Sequence, residues 1–413
     1  MPELAIHGGP AVRTEPYPDW PELDERDVEA VTAVLRGGQL GGFPEPGPRA
    51  AEFAERFADY QGASHGIVMV NGTVTMEIAL KALGIGWGDE VIIPALTFAA
   101  TAYAVISAGA LPVIVDVEPR RWTIDPDLVE AAITPRTAAV IPVHLGQQMC
   151  DMDRLTEIAR RHNLAIVEDC AHAHGQRWRG HGAGTIGAFG SFSHQTTKTL
   201  TAGEGGTLLT SNEALARKAH SLIDCGRAKD PAEREVTFGS NYRLGELNCA
   251  LLCSQLDRFE DQPAQREASA RRFEELASGV RGIAINRIDD RISRWSFYRY
   301  LLRIETDAFS GAGNHRVVEA LLAEGIKAEV QYPPMNRYEL FRPGLSRLPV
   351  CVEHAHRLDT SRMRFPVAEA AADREAVYLD EAVFRAGDKG IEDAVEALAK
   401  VQQHSSTLAR IRS

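Results

Sequence analysis

The sequence predicts an α/β protein in which a large domain with a mostly parallel sheet is followed by a smaller C-terminal α+β domain. Between about residues 60 and 210, short apolar runs alternate with helical patterns, as is typical of parallel strands joined by helices. Apolar residues with helical spacing from Asn241 to Phe259, followed by helical charge patterning to about Ala277, predict a long helix that links two units. We therefore expect a large domain with an N-terminal arm over residues 1–260 and a small domain over residues 261–413.

Strands are predicted where β-branched or apolar residues form short runs bounded by turn residues. In the large domain these runs are, in chain order, GIVMV, EVIIP, LPVIVDV, AAVIPVH, LAIVED, GAFGSFS and GTLLT. In the small domain, strand-like WSFYRYLLRI and KAEVQ flank helix-like HRVVEALLAEGI. The helices predicted from periodicity elsewhere run from Thr75 to Leu83, from Thr97 to Ala108, from Asp153 to His162 and from Ile391 to Gln403.

A span without charged residues, from Val91 to Val115, has the length of a membrane helix. Pro94 and Pro112 interrupt it, and the segments around these prolines are rich in β-branched residues. We therefore interpret the span as a buried strand–helix–strand unit rather than a membrane segment.

The composition is that of an ordinary globular protein, with 44% hydrophobic and 25% charged residues and a formal net charge of −12. An acidic chain without a basic cluster argues against nucleic acid or an anionic membrane as the main partner, so a small molecule is the expected ligand. The six cysteines show neither a CxxC pair nor zinc-like spacing and are interpreted as free thiols. Because no basic segment followed by an apolar one stands at the N-terminus, we expect a cytoplasmic protein.

The residues that end the predicted strands are the candidates for chemistry, since ligands of parallel sheets bind beyond the carboxyl ends of the strands. Asn71, Gly72 and Thr73 follow GIVMV and precede a helix, where backbone N–H groups and a hydroxyl can hold an anion. Taken alone, these residues are more often a plain turn with Thr73 as the helix N-cap. Phe98 follows VIIPAL, where its ring could stack on a flat ligand, although a phenylalanine there is more often part of the core.

Asp169 closes the run LAIVED, and a carboxylate at this position can accept a hydrogen bond from a protonated ring nitrogen. Its alternative role is to cap a helix that begins at Ala171. His172 and His174 follow in CAHAHG, with a spacing that suggests a metal site. We expect no metal there, because a partner set of cysteines, histidines or carboxylates is missing from the neighbouring sequence.

Lys198 lies in a run of small and hydroxylated residues, GSFSHQTTKTLTAGEGG, five residues after Ser193. A lysine amine becomes a nucleophile toward aldehydes once burial or neighbouring charge favours its neutral form, so Lys198 could form a Schiff base. An ordinary surface lysine is the alternative. A lysine imine, an acidic partner for a pyridine nitrogen, a stacking ring and a phosphate cup are together what pyridoxal 5′-phosphate (PLP) requires. Since each requirement has a candidate at a predicted strand end, we predict that Lys198 is the imine lysine of a PLP enzyme.

Longer stretches resemble the fold type I PLP enzymes, and specifically the sugar and cyclitol aminotransferase family, the StrS-like group. The matching stretches are NGTVTMEIALKALGIGWGDEVIIPALTF, DMDRLTEIARRHNLAIVEDCAHAHG, the SxxxxK pattern of Ser193 to Lys198, TAGEGG and GSNYRLGELNCALLCSQL. Their order and spacing cover most of residues 20–260. The resemblance implies a large domain with a seven-stranded type of sheet, a smaller C-terminal domain and aminotransferase activity.

By position, the resemblance implies that Lys198 forms the imine and also carries the proton transfers. Asp169 would be the partner of the pyridinium nitrogen, Phe98 would stack on the ring, and His172 would lie beside the ring hydroxyl.

The resemblance also implies a phosphate cup made by Gly72, Thr73 and Ser193. Asn241, in GSNYR, matches an asparagine that reaches the phosphate of the neighbouring subunit in relatives. A site shared in this way implies at least a homodimer.

Within the family, PYPDWPELDERD, AHAHGQRW, CGRAKD and REAVYLDEAVFRAGDKGIEDAVEAL are most similar to the branch that contains scyllo-inosose aminotransferases and 3-amino-5-hydroxybenzoate synthase. The resemblance implies L-glutamine or L-glutamate as amino donor and a keto-cyclitol or keto-sugar as acceptor, in antibiotic or other secondary metabolism. The chain departs from this branch at Asn71, at Gln147 and Gln148, and at residues 194–197 before the lysine. These departures concern the acceptor substrate.

Acceptor hydroxyl groups must be recognised by polar side chains, which are costly to leave unpaired when buried. Candidate residues for this recognition are Tyr332, Asn241 and His194.

Three other functions fit the sequence less well. PLP-dependent sugar dehydratases resemble this chain but replace the imine lysine by histidine, whereas Lys198 is present. A non-catalytic partner or regulatory protein of this fold would be expected to lose Lys198 or Asp169, or to gain a DNA-binding helix pair. A nicotinamide enzyme is disfavoured because no G-x-G-x-x-G follows the first strand.

Overall fold

The structure is a computed structural model that describes residues 2–43, 45–228, 237–286, 288–339 and 346–408. Within these ranges the strands β1 to β14 are, in chain order, His65–Met69, Glu90–Pro94, Leu111–Val115, Thr137–Val140, Ala165–Asp169, Arg177–Trp178, His181–Gly182, Phe189–Ser193, Gly206–Thr210, Ile283–Ile285, Ile292–Arg294, Arg299–Ile304, Ala328–Val330 and Ala376–Asp380. The α-helices α1 to α16 are Glu25–Gly37, Pro48–Gln61, Gly72–Ala82, Ala100–Ala108, Pro126–Ala131, Met152–His162, Glu213–Ile223, Glu246–Asp257, Asp261–Ala277, Asn314–Ala323, Pro349–Glu353, Ala355–Leu358, Pro366–Ala370, Glu381–Arg385, Gly387–Gln403 and Ser405–Leu408. Residues 229 and 230, at the end of the motif CGRAKD, lie outside the described ranges.

The large sheet has seven strands in the order β1-β9-β8-β5-β4-β2-β3. The pairs β2–β3, β2–β4, β4–β5 and β5–β8 are parallel, whereas β9 is antiparallel to both of its neighbours. Each of the seven predicted runs overlaps one of these strands, so the predicted α/β class and the mostly parallel sheet are confirmed.

The uncharged span from Val91 to Val115 forms β2, α4 and β3, as predicted. Strand β2 lies between β4 and β3 and is buried at every position, as is typical of an inner strand of a parallel sheet. Among the described residues, none of the helices combines the length and the apolar character that crossing a bilayer requires. All six cysteines are free thiols, also as predicted.

The prediction of one long helix from Asn241 to about Ala277 is wrong. Two helices, α8 and α9, follow each other here, and residues 241–245 precede both. Pro263 lies in the first turn of α9, where its missing N–H costs nothing, but it cannot continue a preceding helix. Helix α8 packs on α1 and α2, while α9 packs on α14 and α15. The domain boundary near residue 260 falls between the two helices and stays a prediction.

The small sheet is antiparallel, with the strand order β10-β12-β14-β13. Strands β12 and β13 and helices α10 and α15 lie where the sequence predicted strand and helix. The sequence did not predict β14, although this strand pairs with both β12 and β13. Its run AVYLD is short and apolar and stands between helices, so periodicity alone does not distinguish it from a buried helical turn.

Candidate active site

Lys198 lies in the loop that joins β8 to β9, and its Nζ is 4.2 Å from the centroid of the Tyr298 ring. The side chain keeps a partly exposed surface, although protein atoms enclose its amine. Burial lowers the pKa of Lys198 to about 7, because the ammonium ion loses its hydration there; the Asp169 carboxylate opposes this shift and the Arg299 guanidinium adds to it. A large fraction of Lys198 is therefore neutral amine near pH 7, as a nucleophile requires.

Asp169 is the last residue of β5 and is 5% exposed. Its Oδ2 accepts a hydrogen bond from the Thr101 hydroxyl at 3.0 Å, and its Oδ1 accepts one from the Ala171 N–H at 3.2 Å. Burial raises the pKa of Asp169, and these two hydrogen bonds oppose the increase. The alternative role as a helix cap is wrong, because residues 171–175 form turns rather than a helix.

His172 is a buried and neutral imidazole beside the lysine. Burial, together with the nearby Lys198 charge, keeps the pKa of His172 well below its usual value. Its Nδ1 accepts the Gly146 N–H at 3.2 Å, so the ring proton resides on Nε2, which is 3.4 Å from the Tyr332 hydroxyl. The His172 ring lies 4.7 Å from the Tyr298 ring, which therefore contacts both the histidine and the lysine.

The N-terminus of α3 packs against the end of β8, and Gly72 is the residue of α3 that lies closest to Ser193 of β8 in this contact. A Cβ on Gly72 would lie 2.8 Å from the Cβ of Ser193, so only glycine permits this approach. The hydroxyls of Thr75 and Ser191 hydrogen-bond at 2.5 Å and tie the helix to the strand. The first N–H groups of a helix have no intrahelical partner, so the cradle of Gly72, Thr73 and Ser193 has donors that could bind an anion. The N-cap of α3 is Asn71, whose Oδ1 accepts from Val74, and not Thr73 as the alternative interpretation had it.

Phe98 and Asn241 occupy different surroundings. Phe98 is 57% exposed and its ring lies 5.9 Å from that of Tyr332, so the alternative that Phe98 belongs to the core is wrong. Asn241 is exposed, forms a bridge with Asp224, and accepts the Arg243 N–H at 3.3 Å. Its described contacts do not include the residues around Lys198, so within one chain the structure does not bring Asn241 to that cluster.

Two further histidines, His174 and His194, are buried in the same part of the chain's core as the β8–β9 loop that carries Lys198. His194 is fully buried, with Nδ1 3.0 Å from the Leu200 carbonyl oxygen and Nε2 2.8 Å from the Thr207 hydroxyl. Because both nitrogens are occupied, the interpretation of His194 as a residue that recognises the acceptor is wrong. His174 is also buried, and its ring packs on Phe57 and Phe192.

A separate buried cluster contains His144, Glu168 and Cys170, whose potential ligand atoms lie within 4.8 Å of one another. Glu168 already accepts hydrogen bonds from three backbone N–H groups and approaches His144 Nε2 at 3.2 Å. His144 Nδ1 accepts the Cys150 N–H at 3.1 Å. These contacts account for the cluster as a hydrogen-bond network beneath the site. His172 and His174 do not belong to it.

Sequence patterns missed several residues that line the site. Thr101 binds Asp169 from α4, whereas Tyr298 and Arg299 come from the small domain, about one hundred residues after Lys198. Tyr298 also holds the lysine loop, because its hydroxyl is 2.7 Å from that of Thr197. The segment WSFYRYLLRI predicts a strand, but nothing in its spacing places it beside Lys198.

The model of the DegT/DnrJ/EryC1/StrS aminotransferase family matches residues 21–383 of the chain. The chain belongs to this family. A Streptoalloteichus tenebrarius protein provisionally named L-glutamine:3-amino-2,3-dideoxy-scyllo-inosose aminotransferase is 40% identical over 98% of this aminotransferase and 99% of its own length. The L-glutamine:2-deoxy-scyllo-inosose aminotransferase of Micromonospora echinospora is 38% identical over 97% and 98% of the two chains.

Among solved structures, the crystal structure of 3-amino-5-hydroxybenzoic acid synthase superposes on this aminotransferase with a TM-score of 0.84. It is 31% identical and covers 94% of this chain and 99% of its own. These matches confirm the fold type I aminotransferase fold and the resemblance drawn from the sequence.

Aminotransferases of this family depend on PLP, and the residues of this chain fit that cofactor. Lys198 offers an amine with a pKa of about 7, and Asp169 offers a buried carboxylate at the carboxyl end of a central strand. The cradle at Gly72 offers a helix N-terminus without a side chain in the way. Each feature matches a different part of the cofactor, which is the reason for assigning it to this site.

The cradle leads to a prediction about cofactor affinity. In Gly72→Ala, the new methyl group collides with Ser193, and overpacking of this kind is expected to weaken PLP binding about 5- to 100-fold. Titration of the apoprotein with PLP, followed by absorbance, measures the effect. Gly37→Ala is the matched control, since a Cβ there meets nothing within 4 Å. Equal affinities of Gly72→Ala and wild type would contradict the assigned cradle.

The surroundings of Lys198 lead to a prediction about pH. In the apoprotein, the rate of reductive methylation of Lys198 should reach half of its maximum near pH 7. In Asp169→Asn this midpoint should move to lower pH, because the lost carboxylate had stabilised the ammonium form. Mass spectrometry of the modified peptide gives the rate. Asp373→Asn, at an exposed pair with Arg337, should leave the midpoint in place, and a wild-type midpoint near that of a free lysine would refute the prediction.

Proposed function

We propose that this aminotransferase transfers the amino group of L-glutamine to the ketone of a cyclitol of the scyllo-inosose type. The observation that carries the proposal is the enclosed amine of Lys198, which lies 4.2 Å from the centroid of the Tyr298 ring and interacts with the Asp169 carboxylate. Support for the donor and the acceptor comes from the names of the two cyclitol aminotransferases, which match nearly the whole chain at 38–40% identity. The proposal includes a cytoplasmic location and a role in antibiotic or other secondary metabolism.

PLP, when bound, supplies the aldehyde that takes up the amino group and the ring that stabilises negative charge at the substrate carbon. In the proposed arrangement Lys198 holds the cofactor and, once released, moves the proton at that carbon. Asp169 keeps the ring nitrogen protonated, and His172, with its proton on Nε2, lies beside the ring hydroxyl. Phe98 offers its exposed ring as a stacking face.

We further propose a homodimer in which Asn241 of each chain serves the phosphate cradle of the other. Asn241, Phe43 and Leu244 line a surface cavity of about 360 Å³ that lies apart from Lys198 in the same chain. Leu40 and Phe43, beside this cavity, are 54% and 66% exposed. A second subunit that covers these apolar side chains would complete both sites at once.

The sugar dehydratase and the non-catalytic protein are the weaker alternatives. Dehydratases of this type are expected to lack the lysine, and a non-catalytic protein is expected to lack the lysine or the carboxylate. Here Lys198 and Asp169 lie in one cluster, and each affects the pKa of the other.

Removal of the lysine amine tests the proposed reaction. Lys198→Ala should lower the rate at which L-glutamine converts bound PLP to pyridoxamine phosphate by about 10³-fold or more, because the proton carrier is lost. The visible absorbance of the holoenzyme follows this half-reaction, and 2-deoxy-scyllo-inosose should reverse it in the wild type. Lys218→Ala, at an exposed lysine of α7, is the control. A Lys198→Ala protein that transaminates near the wild-type rate would refute the proposal.

Mixed dimers test the shared site. Lys198→Ala and Asn241→Asp should each be impaired, the second because a carboxylate would face the phosphate. Refolded together in equal amounts, they should recover about a quarter of the wild-type activity, because half of the dimers then contain one intact site. If each chain built its own site, every site would carry one defect and mixing would restore nothing.

A further inference from the structure

Two buried hydrogen-bond donors near Lys198 lack a partner among the residues that the structure describes. One is Nε of Arg299, at the start of β12, and the other is Nε2 of Gln331, a residue that is 4% exposed. A buried donor without an acceptor is costly, and such groups are rare in folded proteins. Both donors are therefore available to a group that arrives with the substrate.

Both donors lie beside an aromatic wall formed by the rings of Tyr298 and Tyr378, and Lys198 contacts the first of these rings. Arg299 Cζ lies 4.8 Å from the Tyr298 ring, which Lys198 Nζ approaches at 4.2 Å, and 5.6 Å from the Tyr378 ring. Gln331 Oε1 accepts the Tyr378 hydroxyl at 2.8 Å, so its amide belongs to the same wall.

The influence of Arg299 on its neighbours supports this placement. Its positive charge contributes to the low pKa values of Lys198 and His172, after the larger effect of burial. The guanidinium is therefore electrostatically close to the residues that surround the reacting carbon.

The unpartnered groups also define the chemistry of the ligand. Both are donors, so the ligand must present acceptors, and an ionised carboxylate is a group that only accepts. A guanidinium binds a carboxylate through charge-assisted hydrogen bonds, which are about twice as strong as neutral ones. The hydroxyl groups of a cyclitol would bring donors of their own.

We propose that Arg299, assisted by Gln331, binds the α-carboxylate of the amino-acid donor. This inference rests on the proposed function, because an amino-acid donor carries such a carboxylate whereas a keto-cyclitol acceptor does not. Arg299 thereby recognises the substrate of one half-reaction only, since the acceptor of the other half-reaction is a neutral ring.

Glu329, whose side chain is partly exposed to solvent, forms an ion pair with the guanidinium of Arg299. Its Oε2 lies 2.7 Å from Arg299 Nη2, and its side chain is about half exposed. This pair leaves Nε available, but the Glu329 carboxylate also competes for the charge of Arg299. Neutralising Glu329 should therefore strengthen the binding of a second carboxylate or leave it unchanged.

The test compares how each variant changes the affinity for a ligand with the α-carboxylate and for a ligand without it. α-Methyl-L-glutamine has no α-hydrogen and cannot be turned over, whereas 4-aminobutanamide is glutamine without its carboxylate. Dissociation constants come from the visible absorbance of the PLP-loaded enzyme. Arg299→Met should weaken binding of α-methyl-L-glutamine about 10- to 100-fold and change binding of 4-aminobutanamide less than about threefold.

Further variants separate binding from structure. Arg299→Lys should recover part of the affinity for the carboxylate, because a positive charge remains without the planar fork. Arg303→Met is the matched control, since Arg303 lies on the same face of β12 and contacts Trp122 instead of Tyr298. Glu329→Gln should bind α-methyl-L-glutamine at least as tightly as the wild type.

Three results would overturn the proposal for Arg299. Arg299→Met could bind α-methyl-L-glutamine normally, it could weaken both ligands equally, or Glu329→Gln could weaken the carboxylate ligand as much as Arg299→Met does. A wild-type enzyme that reacts with L-glutamine but does not discriminate between the two ligands would also overturn it and leave the proposed function intact. A wild-type enzyme that reacts with L-glutamate and not with L-glutamine would overturn the proposed donor alone, and α-methyl-L-glutamate with 4-aminobutanoate would then be the ligand pair.

Discussion

The site depends on the burial of one lysine amine among groups that do not fully neutralise it. Burial lowers the pKa of Lys198 to about 7, while the nearby negative charge of Asp169 opposes this shift and the positive charge of Arg299 adds to it. A closer carboxylate would hold Lys198 as an unreactive ammonium ion, and a more open position would restore its hydration. The surrounding elements therefore have to fix both the distance of the acid and the exclusion of water.

The carboxyl edge of the large sheet fixes the acid. Asp169 ends β5, and its carboxylate is oriented by Thr101 from α4 and by the turn that follows the strand. Beneath it, Glu168 points to the opposite side of the strand and binds three backbone N–H groups of the following loop. Successive residues of one strand thus point to its two sides, with Glu168 bound to the backbone on one and Asp169 near Lys198 on the other.

Tyr298 of the small domain covers Lys198, and Tyr298 and the N-terminal arm both hold the loop that carries this lysine. Tyr298 covers Lys198 with its ring and binds Thr197 with its hydroxyl, while the Trp20 indole N–H donates to the Thr196 carbonyl oxygen at 3.1 Å. The loop is therefore clamped from two elements that are distant in sequence. Because Tyr298 adjoins Arg299, the strand that covers the lysine also brings in the guanidinium proposed to bind the donor. The adjacent residues Tyr298 and Arg299 thus link the position of Lys198 to the proposed binding of the donor.

The sequence alone determined the elements that form locally and the residues that end them. Alternating apolar runs predict every strand of the large sheet, and because parallel strands share one carboxyl edge, they also place Gly72, Asp169 and Lys198 in one region. Only the tertiary structure decided what approaches that edge from elsewhere. Tyr298 and Arg299 arrive through the pairing of β12 with β14, a strand that periodicity did not reveal, and His194 is occupied by hydrogen bonds to Leu200 and Thr207. The physical reason is that periodicity records which face of an element is buried, whereas contacts between distant segments and the pKa of a buried amine depend on which side chains the fold brings together.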